Sequence, residues 1–272
     1  MLSLIGAASR GTGDSRSAVE ALESQLKTHS KDEAAALNLA QLQAATGDLV
    51  AAKSTLSAAL ATHPDALPLR LALAKVELAH GDVKDGEATL DQAVAAQPAQ
   101  APLLEEAGAL LLAAHQYDAA LTRFAQATVL EPGNALYWLN SARAQLALNE
   151  TAAARESLLK AAHARPGWVP VVGMLAMMDV HAGNGQAALA RVNALVASQR
   201  KDASALALKG YVEAALGDSG GAMAAYTQAQ VLHPTAQVAV RLYRGRLATH
   251  QADPQKPLEG WLAREPRDWR VH

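Results

Sequence analysis

The chain has 272 residues, of which 50% are hydrophobic, with 64 Ala, 40 Leu, one Phe, no Cys and a formal net charge of −2. Such an Ala/Leu bias favours helix over strand, and the lack of Cys excludes disulfides, thiolate metal sites and a Cys nucleophile. Near-neutral charge excludes the basic excess that nucleic-acid or anionic-membrane partners require, so the expectation is an all-α protein with no nucleic-acid partner.

The first residues, Met1-Leu2-Ser3-Leu4-Ile5-Gly6-Ala7-Ala8, lack the basic flank and apolar length of a signal peptide. No run approaches the roughly 18 consecutive apolar residues of a spanning helix, so no direct membrane span is expected. Periodicity governs the rest. Pro64, Pro98, Pro132, Pro166 and Pro234 are separated by 34, 34, 34 and 68 residues, with Arg200 in the slot of the missing proline. A fixed period of this length marks a repeat array. It divides the chain into a partial unit at 1–32, full units at 33–66, 67–100, 101–134, 135–168, 169–202 and 203–236, a degenerate unit at 237–268, and the start of another at 269–272.

In the partial unit, residues 14–28 read as a second helix, with Gly13-Asp14 at the turn before it. Repeat 33–66 shows the full pattern: a first helix ending at Gly47, then Asp48 opening a second helix that carries Ala52, Leu56 and Ala59 and closes at His63-Pro64. Repeat 67–100 follows it with Pro68, Gly81-Asp82, Gly86, Leu90, Ala93 and Pro98, and repeat 101–134 with Pro102, Gly108, Ala120, Phe124, Ala127 and Pro132. Repeat 135–168 carries Trp138, Ala154, Leu158 and Ala161, while 169–202 carries Pro170, Gly183-Asn184, Ala188 and Val192, with Leu195 where the others have Ala. Repeat 203–236 has Gly217-Asp218, Ala222, Tyr226, Ala229 and Pro234, and the degenerate unit keeps Trp261, Ala263 and Pro266. Each full unit therefore predicts two helices of about 14 residues. Gly at repeat position 15 ends the first helix in the left-handed region, and Asp or Asn at 16 caps the second. Small residues at 20 and 27 allow close helix approach, the large residue at 24 fills the space between, and Pro at 32 stops the helix. Pro68, Pro102 and Pro170 occupy position 2, where a helix has no N–H to lose.

Two strings imitate catalytic motifs. Gly217-Asp218-Ser219-Gly220-Gly221 spells the serine-protease nucleophile string, and Gly183-Asn184-Gly185 opens a dinucleotide-loop pattern, but both fall in the interhelix turn with no strand before them. His29, His63 and His233, with Arg165, share position 31, where a cation or donor complements helix-terminal carbonyls. No metal-ligand spacing such as H-E-x-x-H occurs, so no catalytic residue, metal or cofactor is expected. Met174, Met177 and Met178 share one helical face, suited either to core filling or to an adaptable binding surface.

These positions resemble the tetratricopeptide repeat, whose 34-residue unit has small residues at 8, 20 and 27, a large one at 24 and Pro at 32. Repeat 101–134 matches best, and Trp138 fills the aromatic slot at position 4 of the next. Position 11, usually aromatic in that family, departs: it reads Gln43, Glu77, Leu111, Gln145, Asp179 and Glu213. The resemblance implies an α-solenoid with a right-handed superhelix, non-enzymatic, whose first helices line a concave groove for a protein or peptide partner. Carried onto this chain, the groove positions are Asn38, Gln41, Lys75, Glu105, Asn140, Arg143, Met174, Met177, Tyr211 and Arg241. The Lys/Asn carboxylate clamp of chaperone-binding members is not matched, because position 5 reads Leu37, Leu71, Glu105 and Leu139. The Asn ladder of O-GlcNAc transferase arrays is matched only at Asn38 and Asn140.

The segments Ala153–Lys160 and Arg264–Trp269 further resemble the repeat lipoproteins of bacterial PEP-CTERM and exopolysaccharide export systems. That resemblance implies a periplasmic or outer-membrane-anchored protein, with the cytoplasm as the alternative. Neither end carries a polar capping unit, so the expectation is a fragment of a longer array whose uncapped ends permit self-association. Two other readings stay open: the substrate-adaptor region of a larger enzyme such as a glycosyltransferase, and a self-associating structural element.

Overall fold

A computed structural model describes residues 12–268, which form fifteen helices and no strand. The readings of Met1–Ala8 and of 269–272 lie outside these residues. Helix α1 (Thr12–Thr28) begins two residues before its sequence-based start, so Gly13 and Asp14 lie in its first turn instead of preceding it. A shift of this size is ordinary for helix ends. Six hairpins follow: α2 (Glu33–Ala45) with α3 (Leu49–Thr62), α4 (Leu67–His80) with α5 (Val83–Ala96), and α6 (Ala101–Ala113) with α7 (Tyr117–Leu130). Then come α8 (Ala135–Ala147) with α9 (Thr151–Ala164), α10 (Val169–His181) with α11 (Gly185–Ser198), and α12 (Ala203–Ala215) with α13 (Ser219–Leu232). Helices α14 (Ala236–Ala248) and α15 (Lys256–Leu262) complete the chain, the latter only seven residues long. The architecture is an all-α solenoid of helical hairpins. Two compact bodies are distinguished: one runs to Gly133 and includes Arg143–Glu150, and the other comprises Asn134–Ala142 and the residues from Thr151 onward.

The turn at position 15 is left-handed in every full repeat. Gly47, Gly81, Gly183 and Gly217 have φ between 76° and 96°, and where Gly is absent His115 and Asn149 adopt φ of 61° and 63°. The backbone demand is thus stronger than the residue preference, and two side chains bear the cost. Capping at position 16 is less uniform than the sequence pattern suggests. The Asp48 and Asp218 carboxylates accept the Ala51 and Gly221 N–H groups at 2.9 Å, but Asp82 and Asn184 make no such bond. Asp82 is taken instead by Lys53, whose Nζ donates to it at 2.6 Å, and by His80 at 3.3 Å. Lys53 also donates to Asp85 at 3.0 Å.

The Lys53 hydrogen bond, followed by the one from His80, holds the Asp82 carboxyl below its ordinary value of 3.8. A depressed carboxylate contributes stability above the unfolded-state value and loses it as pH falls through the lower folded one. A carbon-detected NMR titration is expected to place the Asp82 midpoint below 3.8, and Lys53→Met to return it toward that value. An unchanged midpoint in the variant would show that the contact does not form in solution.

Packing inside each hairpin follows one volume rule. Position 24 is a fully buried Leu or Val in four repeats (Leu56, Leu90, Leu158 and Val192), and position 8 beneath it is Ala40, Ala74, Ala142 and Ala176. Where position 24 is aromatic, Phe124 or Tyr226, position 8 is Gly108 or Gly210. A Cβ on Gly108 would lie 2.6 Å from the Phe124 ring, and one on Gly210 2.9 Å from that of Tyr226. The ring therefore occupies the volume that Ala fills elsewhere.

Position 11 is polar yet buried in four full repeats, at Gln43, Glu77, Asp179 and Glu213. Thr55 donates its hydroxyl to Gln43 at 2.9 Å, and Thr89 donates to Glu77 at 2.7 Å, each across one hairpin from position 23 to position 11. In the fifth hairpin the same pair becomes charged, with Arg191 donating to Asp179 at 3.1 and 3.2 Å. A second contact crosses the repeat boundary: Arg155 reaches Asp179 at 2.5 Å, and Lys53, at the same position of its own repeat, approaches Glu77 at 3.6 Å. In repeats 33–66, 67–100 and 169–202 the missing aromatic is thus replaced by a hydrogen-bonded polar link. Burial of such groups requires this pairing.

Candidate functional site

In the first body, the first helices α2, α4 and α6 border a cavity of about 900 Å³. Its floor is apolar, with Leu37 and Leu71 at position 5, Leu67 and Val76. Gln41, Lys75 and Glu106 also line it, and each is exposed. The placement follows from helix periodicity: positions 5 and 9 are one turn apart on the same face, so Leu37 lies below Gln41 and Leu71 below Lys75. An apolar floor with a few polar groups of both signs is the usual make-up of a ligand pocket.

A smaller cavity, about 460 Å³, opens in the second body among α12, α13 and α14. Tyr211 and Arg241 both line it, with the guanidinium carbon 4.6 Å from the Tyr211 ring centre. Tyr226 also lines it although only 4% exposed, and its buried hydroxyl lies beside the Arg241 guanidinium with no acceptor for its own proton. Burial pushes the Tyr226 phenol above its ordinary value of 10.0, opposed by the nearby Arg241 cation.

The sequence-derived groove residues are thus distributed unevenly. Gln41 and Lys75 meet in the first cavity, and Tyr211 and Arg241 in the second. Asn38, Glu105 and Met174 are half-buried and Arg143 is exposed, but none lines either cavity. Asn140 is buried. Met177 is half-buried and packs against the buried cluster of Ala176, Ala188, Val192 and Val212. Leu37, Leu71 and Tyr226 were not among the expected site residues. The two Leu repeat at position 5 and were legible as a stripe, whereas Tyr226 shares position 24 with core residues and only its hydroxyl sets it apart.

The catalytic-looking strings each run from an interhelix turn into the first turn of the next helix. Asp218 is the N-cap of α13, and Ser219 is the first residue of that helix. The imidazoles of His29 and His63 do not bond helix carbonyls; their Nδ1 atoms pair with the hydroxyls of Thr28 and Thr62 at 2.9 and 2.8 Å. Those hydroxyls serve the carbonyls instead, Thr62 donating to Ala59 at 2.9 Å. Arg165 lies over the Trp168 ring at 4.8 Å. Among the described residues there is no group of three or more His, Asp or Glu suited to a metal, and no helix long and apolar enough to cross a membrane.

Family models described as "Tetratricopeptide repeat" match residues 10–66, 44–109, 111–176 and 174–237. The chain belongs to the tetratricopeptide repeat (TPR) family. Solved TPR-type structures agree on the fold. A tetratricopeptide repeat protein from Parabacteroides merdae is 17% identical, with a TM-score of 0.52 over 86% of this chain and 93% of that one. PilF of Pseudomonas aeruginosa is 22% identical, with a TM-score of 0.51 over 77% of this chain and 96% of its own. Yeast Tom70 gives a TM-score of 0.62 at 18% identity, covering 91% of this chain and 54% of Tom70. No curated protein matches the sequence. The TPR fold is a protein–protein interaction scaffold, generally non-enzymatic, with protein partners.

Proposed function

We propose that the chain is a non-enzymatic adaptor whose first-body groove holds a segment of a partner protein. The observation that carries this reading is the cavity floored by Leu37 and Leu71 and lined by Gln41, Lys75 and Glu106. It suits a short peptide that inserts one or two apolar side chains and offers polar groups of both signs at their flanks. Placement in exopolysaccharide export rests on the sequence resemblance, and the captured partner's identity decides it.

The test is a selection of displayed peptides on the intact chain, followed by anisotropy titration of the best binder. Lys75→Glu, at an exposed position, and Leu71→Ser are each expected to weaken binding by about tenfold with helicity unchanged by circular dichroism. Equal affinity of both variants and the parent chain would remove the groove from consideration.

A further inference from the structure

We propose that the second-body cavity among α12, α13 and α14 is a separate binding site for the carboxylate of a glutamate side chain presented by a partner polypeptide. It shares no residue with the first-body groove and stands or falls apart from it. Three observations support it.

The first is charge. The cavity is lined by the Arg241 cation, the His233 imidazole, the Tyr226 phenol and the hydroxyls of Ser204 and Thr235, and by no Asp or Glu. Among the described residues no carboxylate lies within ion-pair distance of Arg241. The second is orientation. Arg241 is held against the Tyr211 ring, its guanidinium carbon 4.6 Å from the ring centre, and next to Tyr226, and its planar fork of donors matches the two oxygens of a carboxylate. The third is the Tyr226 hydroxyl, buried in the same cavity beside the Arg241 donor and without an acceptor for its own proton. A buried hydroxyl proton without an acceptor is unfavourable and rare in a finished core. An entering carboxylate oxygen accepts its proton-bearing bond.

The walls select the source of the carboxylate. Ala207, Leu208 and Val238 give the cavity apolar sides, which match the two methylenes of a glutamate stem. A chain terminus has no such stem, and it carries a backbone amide directly beside its carboxylate.

The experiment is an NMR titration of the ¹⁵N-labelled chain with N-acetyl-glutamate N-methylamide. N-acetyl-glutamine N-methylamide serves as the neutral isostere, and N-acetyl-alanine as a terminal carboxylate. Saturable shifts are expected at the amides of Tyr211, Tyr226 and Arg241 with the glutamate probe, and binding about tenfold weaker with each of the other two. Arg241→Gln is expected to remove saturation, and Tyr226→Phe, which preserves the ring and its packing, to weaken binding by about fivefold. The proposal is overturned by absence of saturation with the glutamate probe, by equal binding of the glutamine probe, or by an Arg241→Gln chain that binds as before. Tighter binding of N-acetyl-alanine also overturns it, assigning the site to chain termini.

Discussion

Replacing Gly108 with Ala destabilises the first body by about 1–2 kcal/mol, and adding Phe124→Leu recovers most of that loss. The new methyl would stand 2.6 Å from the Phe124 ring, closer than carbon atoms tolerate, and overpacking a full core costs about 1–3 kcal/mol. Better helix propensity returns up to about 1 kcal/mol of this, which leaves the net sign unfavourable. Leu at position 124 recreates the Ala/Leu combination that repeats 33–66, 67–100 and 135–168 already use. Phe124→Leu alone, over an unchanged Gly108, leaves a void and is destabilising. Urea unfolding of the four proteins in this cycle measures the coupling directly. Additive effects would mean that the ring and the glycine are not in contact.

Asp179→Ala is expected to cost about 2–3 kcal/mol. Asp179 is 3% exposed and accepts from both Arg155 and Arg191, so its loss leaves two guanidinium groups without their counter-charge. Breaking a buried pair from one side costs about 3–5 kcal/mol. The lower figure applies here because the two Arg side chains are 34% and 29% exposed, and water reaches them. Replacing Asp179 by Leu together with Arg155 and Arg191 by Met is expected to bring stability near that of the parent. Since repeat arrays lose structure locally, hydrogen exchange at the amides of α10 is the sharper readout. Unaltered protection in Asp179→Ala would show that the ion network contributes nothing.

The architecture was legible because its determinants are local and repeated. A proline every 34 residues, a left-handed turn at position 15 and small residues at 20 and 27 each act within one hairpin, so one sequence suffices to locate them. The turn was also more robust than its residues, since His115 and Asn149 adopt the glycine conformation. The candidate sites were only half legible. Gln41, Lys75, Tyr211 and Arg241 lie on first-helix faces fixed by periodicity, but whether such a face borders a cavity depends on neighbouring side-chain volumes. Tyr226 shares its position with the core residues Leu56 and Leu90, and only its hydroxyl and the Gly210 beneath it set it apart in the sequence. The polar residues at position 11 were visible as departures, whereas their partners sit 12 residues away or in the preceding repeat.

Those links across a repeat boundary also bear on how such a chain diversifies. A repeat joined to its neighbour only through Ala and Leu can be duplicated, deleted or moved with little penalty. The repeat holding Glu77 depends on the lysine at position 53 before it, and the one holding Asp179 depends on the arginine at position 155. Transplanting either would leave a buried carboxylate with only its partner inside the hairpin, Thr89 for Glu77 and Arg191 for Asp179. Each of these two pairs of neighbouring hairpins is therefore held in order by a charge contact of its own.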